Sequence, residues 1–191
     1  MNRVEFLLSA ARGKTLDVGF NPSDTALHDS LLEKLGQRNV VGFDVEAREF
    51  KPNVLRASAE AMPFRNECFD SIVAGELIEH LHHPELFVRE CQRVLRENGV
   101  LALSTPNRES WLNRLTHSYE APLHFSLFSI QELSSLLESN SFKVLALKMF
   151  PYTLESSEGS HHKWFFPVRR LVHAVMPSGL RENIALIARK R

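Results

Sequence analysis

The chain has 191 residues, of which 43% are apolar, and its 23 basic residues balance 23 acidic ones. This length can bury a sizeable core in one domain. The balanced charge creates no overall field that would favour nucleic acid or an anionic membrane as a partner. The 2 cysteines are too few for a disulfide framework, and no apolar run approaches the roughly 20 residues of a membrane helix. We therefore expect a soluble, cytoplasmic protein without nucleic-acid binding or membrane contact.

The first half of the chain alternates predicted helices and strands. A short helix is predicted at residues 2–12, and a second where Leu27, Leu31 and Leu35 recur at helical spacing before Gly36. Apolar runs that are typical of short buried strands lie at residues 14–18, 39–43, 54–57 and 69–74. The first of these runs contains Asp17 and leads to Gly19, and the second is closed by Asp44.

The second half continues this alternation. Pro84 begins a helix whose predicted inner face extends to Leu95, with Arg93 and Glu97 as an outward pair and a stop at residues 98–99. A strand follows at 100–104, and a capping box at 129–132 begins a helix that continues through residue 138. The last two strands are predicted at 142–149 and 184–188. This order predicts an α/β fold with a doubly wound, mostly parallel seven-stranded sheet and helices on both faces.

Two segments do not fit the alternation. They lie at residues 106–128 and 151–180, and we find no linker that would divide the chain. Long excursions on one side of an α/β domain usually cover a site. We predict one domain over residues 1–191 with two lid-like segments, and capping of the core is the alternative role for them.

Asp17, Gly19 and Asp44 predict a ligand site at one edge of the sheet. A glycine after the first strand allows a ligand to approach the backbone, and the free amides of the following helix favour an anionic group. Asp44 lies 25 positions after Gly19, where an acid that closes the second strand suits the hydroxyls of a ribose. A nucleoside cofactor is one hypothesis, and an ordinary turn or helix cap at each acid is the other.

An ordered set of motifs carries a more specific signal. They are residues 59–64 (AEAMPF), 69–74 (FDSIVA), 76–81 (ELIEHL), 93–99 (RVLRENG) and 103–107 (LSTPN). With these motifs the chain resembles the class I S-adenosylmethionine-dependent methyltransferases of methyltransferase type 11, in the small-molecule branch of the quinone-biosynthesis enzymes. The resemblance covers residues 15–107, more loosely 124–142, and implies a Rossmann-like methyltransferase fold.

The resemblance implies S-adenosylmethionine as the cofactor and assigns residues to it. Asp17 and Gly19 would line the methionine moiety, Asp44 would hold the ribose, and the other contacts would come from Asn21, Val45, Ser58, Ala59, Gly75, Glu76 and Leu77. The family usually has Gly-x-Gly at the first turn, whereas here Phe20 and Asn21 follow Gly19. Asn21 can adopt the left-handed conformation that a second glycine would supply. Ser58 stands where an acid is frequent.

The implied reaction is an in-line methyl transfer to a nucleophile of a small molecule, at oxygen or carbon. A hydroxyl acceptor would need a base, and His80 and His124 are the candidate catalytic residues because an imidazole transfers protons near neutral pH. The alternative is that His80 packs a turn and His124 braces the lid. No metal site is predicted, because the histidines at 80–83 have no clear partner carboxylate or thiolate elsewhere.

Two other functions remain open from the sequence. The altered turn at 20–22 motivates a non-catalytic module that keeps the fold for binding a partner. A nicotinamide-dependent dehydrogenase is less favoured because the chain lacks Gly-x-Gly-x-x-Gly after its first strand. A homodimer is one assembly that the sequence allows.

Overall fold

A computed structural model of the chain describes residues 1–20, 25–45, 47, 53–115, 124–151 and 181–191. The helices are α1 (Arg3–Ala10), α2 (Ala26–Leu35), α3 (Pro84–Val94), α4 (Trp111–Leu115) and α5 (Ile130–Ser139). The strands are β1 (Thr15–Val18), β2 (Val40–Asp44), β3 (Val54–Arg56), β4 (Phe69–Gly75), β5 (Leu95–Pro106), β6 (Phe142–Phe150) and β7 (Asn183–Lys190). Short 3₁₀ turns lie at Gln37–Asn39 and Ile78–His80.

The strands form one sheet in the order β3-β2-β1-β4-β5-β7-β6. The pairs on the β3 side of β5 are parallel, and β7 runs antiparallel to both of its neighbours. The predicted seven-stranded, mostly parallel sheet is therefore confirmed. The chain runs from β1 to β2 in one direction along the sheet and from β4 to β5 in the other. The carboxyl ends of the adjacent strands β1 and β4 therefore bound a crevice.

Two apolar clusters cover the two faces of the sheet. Successive strand residues point to opposite faces, so Ile72 of β4 belongs to one cluster and Val73 to the other. The first cluster takes its helical partners from α3 and α5, including Phe87 and Leu133. The second takes them from α1 and α2, including Leu7. Helices on both faces are thus observed, as the sequence predicts.

The predicted end of the third helix is wrong. Helix α3 ends at Val94, and Leu95 already pairs with Phe69 as the first residue of β5. Arg93 consequently does not form an outward helical pair with Glu97. Its guanidinium bonds Glu90 at 2.7 Å and the carbonyl oxygens of residues 62 and 64. From Leu95 onwards the backbone pairs with β4 instead of continuing the helix. The helical spacing of apolar residues does not reveal this pairing, because it depends on a distant strand.

The two lid-like segments are only partly described. Residues 106–115 and 124–128 of the first segment are described, whereas 116–123 and 152–180 lie outside the described residues. Asn107 and Phe128 form a parallel bridge, so the described ends of the first segment lie beside each other. The lid function stays a prediction. Among the described helices, none is long and apolar enough to cross a membrane.

The capping box of α5 gives a direct test of the fold. The Ser129 hydroxyl accepts a hydrogen bond from the Glu132 backbone N–H, and the Glu132 carboxylate accepts one from the Ser129 N–H. We expect Ser129→Ala to lower the free energy of unfolding by about 1 kcal/mol, since a helix N–H loses its acceptor. Urea denaturation measures this change. Ser135→Ala, at an exposed position within the same helix, is the control and should leave stability nearly unchanged; equal losses in both variants would contradict the capping role.

Candidate active site

A cavity of about 250 Å³ lies where the carboxyl ends of β1 and β4 meet α1 and α2. Five residues predicted from the sequence line it: Asp17, Gly19, Gly75, Glu76 and His80. The register explains this meeting, because Val18 pairs with Ala74 on one side and with Phe43 on the other. The crevice predicted from the strand order is therefore present at the predicted edge.

Asp17 lies on the inner wall of this cavity. Its side chain is buried and shares a hydrogen bond of 2.8 Å with Nδ1 of His28. Burial raises the pKa of Asp17 above its usual value, although the bond to His28 opposes that shift. The imidazole fits because Gly42 has no side chain: a Cβ there would lie 2.9 Å from Cε1 of His28.

The turn after β1 is tied to β2. The backbone N–H groups of Gly19 and Phe20 both donate to the carbonyl oxygen of Phe43, at 3.0 and 3.1 Å. Gly19 has a φ of +81°, and a Cβ on it would lie 2.9 Å from Cδ1 of Leu77. A side chain at position 19 would thus be both strained and blocked. The Phe20 ring is buried and packs edge-on against His28, with 4.8 Å between ring centroids.

Arg3 and Glu76, which both line the cavity, form a half-buried ion pair. Arg3 Nη1 donates to Glu76 Oε1 at 3.0 Å and to Ser104 Oγ at 2.8 Å, and the Ser104 hydroxyl donates to the same carboxylate oxygen. The backbone of Glu76 adopts a φ of +52°, and its N–H donates to the Ser104 carbonyl oxygen. The guanidinium of Arg3 and the carboxylates of Glu76 and Asp17 line the same cavity. Together they suit a ligand that carries both a positive and a negative charge.

The remaining predicted cofactor residues lie outside the described lining of this cavity. Asp44 is half-buried at the end of β2, next to Val45, whose side chain is 53% exposed. Ser58 is half-buried and its hydroxyl accepts from the Glu60 N–H at 3.2 Å, while Ala59 is buried. Asn21 falls outside the described residues. The structure therefore groups the predicted methionine contacts and leaves the predicted nucleoside contacts along β2 and the loop after β3.

The two predicted catalytic histidines lie together. The ring centroids of His80 and His124 are 5.0 Å apart. His80 is exposed and lines the cavity, whereas His124 is half-buried. Burial lowers the pKa of His124, and the neighbouring His80 lowers it further. Nδ1 of His124 is buried and has no hydrogen-bond partner among the residues that the structure describes.

The buried side chain of Glu79 lies next to these two histidines. It is only 1% exposed, and its Oε2 accepts a hydrogen bond of 2.9 Å from the Thr105 hydroxyl. Burial, together with the nearby charge of Glu76, raises the pKa of Glu79 well above its usual value. The Glu79 carbonyl oxygen accepts from the backbone N–H groups of Phe125 and Ser126, at 2.8 and 3.1 Å. These bonds hold the segment that carries His124 against the end of β4.

Comparison with known proteins agrees with this geometry. Residues 16–103 match a family model described as a methyltransferase domain. A solved structure of an S-adenosylmethionine-dependent methyltransferase from Archaeoglobus fulgidus superposes with a TM-score of 0.70 at 17% identity, covering 98% of this chain and 91% of that one. The chain is related to the S-adenosylmethionine-dependent methyltransferases. The predicted resemblance and the predicted Rossmann-like methyltransferase fold are thereby confirmed, and the relationship implies S-adenosylmethionine as the cofactor.

Curated relatives cover part of the chain. A protein named as a probable S-adenosylmethionine-dependent methyltransferase of Mycobacterium tuberculosis is 35% identical over 54% of this chain and 37% of its own length. The mitochondrial ubiquinone biosynthesis O-methyltransferase of the mouse is 32% identical over 44% of this chain and 26% of its own. The chain thus spans well under half of the length of these relatives.

The residues at the cavity fit the methionine end of this methyltransferase cofactor. That end carries an ammonium and a carboxylate, and the wall offers the carboxylates of Asp17 and Glu76 beside the guanidinium of Arg3. Gly19 also lines the cavity, and its lack of a side chain allows a ligand to approach the backbone closely. Opposite charges at hydrogen-bond distance are the strongest polar contacts available in such a pocket.

Sequence reasoning missed three residues that lie in or beside this cavity. Arg3 reaches the cavity through a contact across 73 positions of the chain, which no local pattern reveals. His28 follows Leu27 by one position and precedes Leu31 by three, so its place on the buried face of α2 was detectable from spacing. Glu79 stands inside the motif at 76–81, but its buried contact is with Thr105 of the neighbouring strand, which the local sequence does not reveal.

The raised pKa of Asp17 predicts a measurable pH dependence of stability. The folded state binds a proton at Asp17 more tightly than the unfolded chain, whose carboxyl has a value near 3.8. Stability from this group is therefore greatest below pH 3.8 and falls as the pH rises towards the folded-state pKa. We expect the free energy of unfolding of Asp17→Asn, relative to the native chain, to increase across this mildly acidic range. Urea denaturation at a series of pH values measures the difference.

Asp70→Asn is the control, because its effect on stability should change with pH in the opposite direction. Burial alone would raise the pKa of Asp70, but bonds from the Lys14 N–H and from Arg96 lower it below its usual value. The native carboxylate then stabilises the fold above its unfolded pKa and loses that contribution as the pH falls. Parallel pH profiles for the two variants would contradict the assignment of a raised pKa to Asp17.

Proposed function

We propose that this chain catalyses S-adenosylmethionine-dependent methyl transfer to a small-molecule acceptor, at an oxygen or a carbon atom. The observation that carries the proposal is the cavity at the ends of β1 and β4, where Asp17, Glu76 and Arg3 surround the space beside Gly19. A ligand with both an ammonium and a carboxylate has a complementary group for each charge there. The family relationship supplies the identity of that ligand.

The remaining cofactor contacts follow the ends of the strands. Asp44 is the proposed partner of the ribose hydroxyls, and Val45, Ser58 and Ala59 are the proposed neighbours of the adenine. Gly75 and Leu77 would pass beside the reacting end, and Asn21 would complete the first turn. Their positions on neighbouring strands or the loops that follow them support this division, since β1 pairs with both β2 and β4.

The cofactor, when bound, supplies a methyl group on a sulfonium, which is already an activated donor. The protein therefore mainly aligns the two reactants and keeps water away from them. His80 and His124 are the proposed catalytic residues on the acceptor side, where either imidazole could contact a hydroxyl of the acceptor. The common position of these rings beside the cavity supports that placement.

We further propose which atom of the acceptor receives the methyl group. The mouse relative is named as an O-methyltransferase of ubiquinone biosynthesis, which favours oxygen as the atom that receives the methyl group. The alternative of a non-catalytic binding module is not favoured, because the relatives and the solved structure reported above are all named as methyltransferases. Assembly as a homodimer stays a prediction.

Calorimetry with S-adenosylhomocysteine, the demethylated product, tests the proposal. We expect the native chain to bind it, and Asp44→Asn to weaken binding by about 10-fold to 100-fold, since hydrogen bonds to a charged group are lost. The control is Asp70→Asn, because Asp70 forms a surface pair with Arg96 away from the cavity lining. Its Kd should equal that of the native chain.

Two outcomes would contradict the proposed function. One is an absence of heat from the native chain at millimolar product. The other is equal weakening by both substitutions, which would indicate a general effect on the fold instead of a contact with the ribose.

A further inference from the structure

His28 and Asp17 form a buried polar pair in the wall of the cavity. Nδ1 of His28 and Oδ2 of Asp17 are 2.8 Å apart, and both residues line the cavity. We propose that His28 is a positioning residue that fixes the Asp17 carboxylate for contact with the ammonium group of the cofactor. The inference rests on the proposed methyltransferase function, because that function assigns the cofactor to this cavity.

Asp17 is the carboxylate of the cavity that suits a cationic group best. The other carboxylate among the described lining residues belongs to Glu76, which is already paired with the Arg3 guanidinium at 3.0 Å. Asp17 instead shares its bond with an imidazole. A carboxylate has two oxygens with about four acceptor positions, so one bond to His28 leaves positions for a ligand. The orientation of this carboxylate then decides how well it meets the ammonium group.

The hydrogen bond from His28 also favours the charged form of Asp17. An ionised carboxylate contains acceptor atoms only, so Nδ1 of His28 donates the hydrogen to it. Burial raises the pKa of Asp17, whereas the bond to His28 lowers it. Without this donor, the buried carboxyl would keep its proton to a higher pH. A protonated Asp17 would lose its charge and with it the attraction for an ammonium group.

The imidazole of His28 is itself held by its neighbours. A Cβ on Gly42 of β2 would lie 2.9 Å from Cε1 and 3.1 Å from Nδ1 of His28, so the backbone of β2 lies directly beside the ring. The Phe20 ring packs edge-on against the imidazole, with 4.8 Å between ring centroids. A binding group is oriented best when its supporting side chain is also locked by packing. His28 meets this condition.

Other titratable groups surround this pair. Those that line the cavity or adjoin the pair along the chain or the sheet are Arg3 of α1, Asp29 of α2, Asp44 of β2, Glu76 after β4 and His80 of the 3₁₀ turn. All five are the same in any two variants at position 28. A comparison between two such variants therefore isolates the response of Asp17 to its hydrogen-bond donor.

Two variants at position 28 test the role of the hydrogen bond. His28→Leu removes the donor, whereas His28→Asn keeps an amide N–H near the place of Nδ1, and neither side chain titrates. By calorimetry at about pH 6, we expect His28→Leu to bind S-adenosylhomocysteine at least about 10-fold more weakly than His28→Asn, since a hydrogen bond to a charged group is lost. His28→Asn should bind nearly as tightly as the native chain.

The difference between the two variants should decrease as the pH rises. In His28→Leu the ionised fraction of Asp17 recovers between about pH 6 and about pH 9, because its pKa is no longer lowered by a donor. The ratio of the Kd of His28→Leu to that of His28→Asn should therefore fall across this range. A side chain that only filled space would change the affinity by the same factor at every pH.

Gly42→Ala tests the same contact without altering either partner. The added Cβ would meet the His28 ring at 2.9 Å and Val54 at an ordinary 3.5 Å, so the imidazole has to move. We expect Gly42→Ala to weaken binding of S-adenosylhomocysteine. The same substitution should have almost no further effect in a His28→Ala background, because the displaced ring is then absent.

His83→Asn is the matched control. It replaces an exposed histidine that lies 3.6 Å from Glu85 and outside the described lining of the cavity. Its Kd and its pH profile should equal those of the native chain. Circular dichroism before each titration identifies a variant that has lost its fold. Should His28→Leu unfold, Gly42→Ala decides the matter.

Three results would overturn the inference: equal Kd values for His28→Leu and His28→Asn, a ratio of the two that does not change with pH, or an equal loss in His83→Asn. Each of them would leave the proposed methyltransferase function intact as long as the native chain binds the nucleoside. An absence of binding by the native chain would instead refute that function and the role of His28 towards the cofactor.

Nuclear magnetic resonance of the Asp17 carboxyl carbon in the ligand-free chains separates these failures. A higher pKa of Asp17 in His28→Leu than in His28→Asn would support the control of Asp17 by His28, whether or not the nucleoside binds. Equal pKa values in the two variants would overturn that control.

Discussion

The site depends on one constraint, the central position of β1 between β2 and β4. The register of these parallel pairs sets Val18 beside Phe43 and Ala74. Consequently the acid at the end of β2 and the glycine at the end of β4 reach the same edge of the sheet as Asp17. These residues need no direct contact with one another to meet at this edge, because backbone hydrogen bonds and the two apolar clusters fix the strands.

The 3₁₀ turn that follows β4 holds a second part of the site in place. Glu79 is held by Thr105 of β5 through its carboxylate and by the segment at 125–126 through its carbonyl oxygen. The loop after β5 is thereby placed beside the cavity by the sheet itself. Glu79 thus links both β5 and the segment at 125–126 to the turn that follows β4.

Local sequence was sufficient for the sheet but not for all of the site. Apolar runs located the strands, and the acids at positions 17 and 44 marked the binding edge because strand ends are local features. The position of Arg3 depends on how α1 docks on the strands, and the meeting of His80 with His124 depends on a contact between distant loops. The early end of α3 has the same cause, since Leu95 pairs with Phe69.

The unusual first turn can be explained by packing within the chain. The family pattern places a second glycine near position 21, whereas this chain places an aromatic ring at Phe20. That ring is buried against His28, and His28 occupies space that Gly42 provides on the neighbouring strand. A glycine on β2 thus makes room for the imidazole that binds Asp17. Because the ring packs into the wall while the cavity beside Gly19 persists, the altered turn is compatible with a ligand at the methionine end.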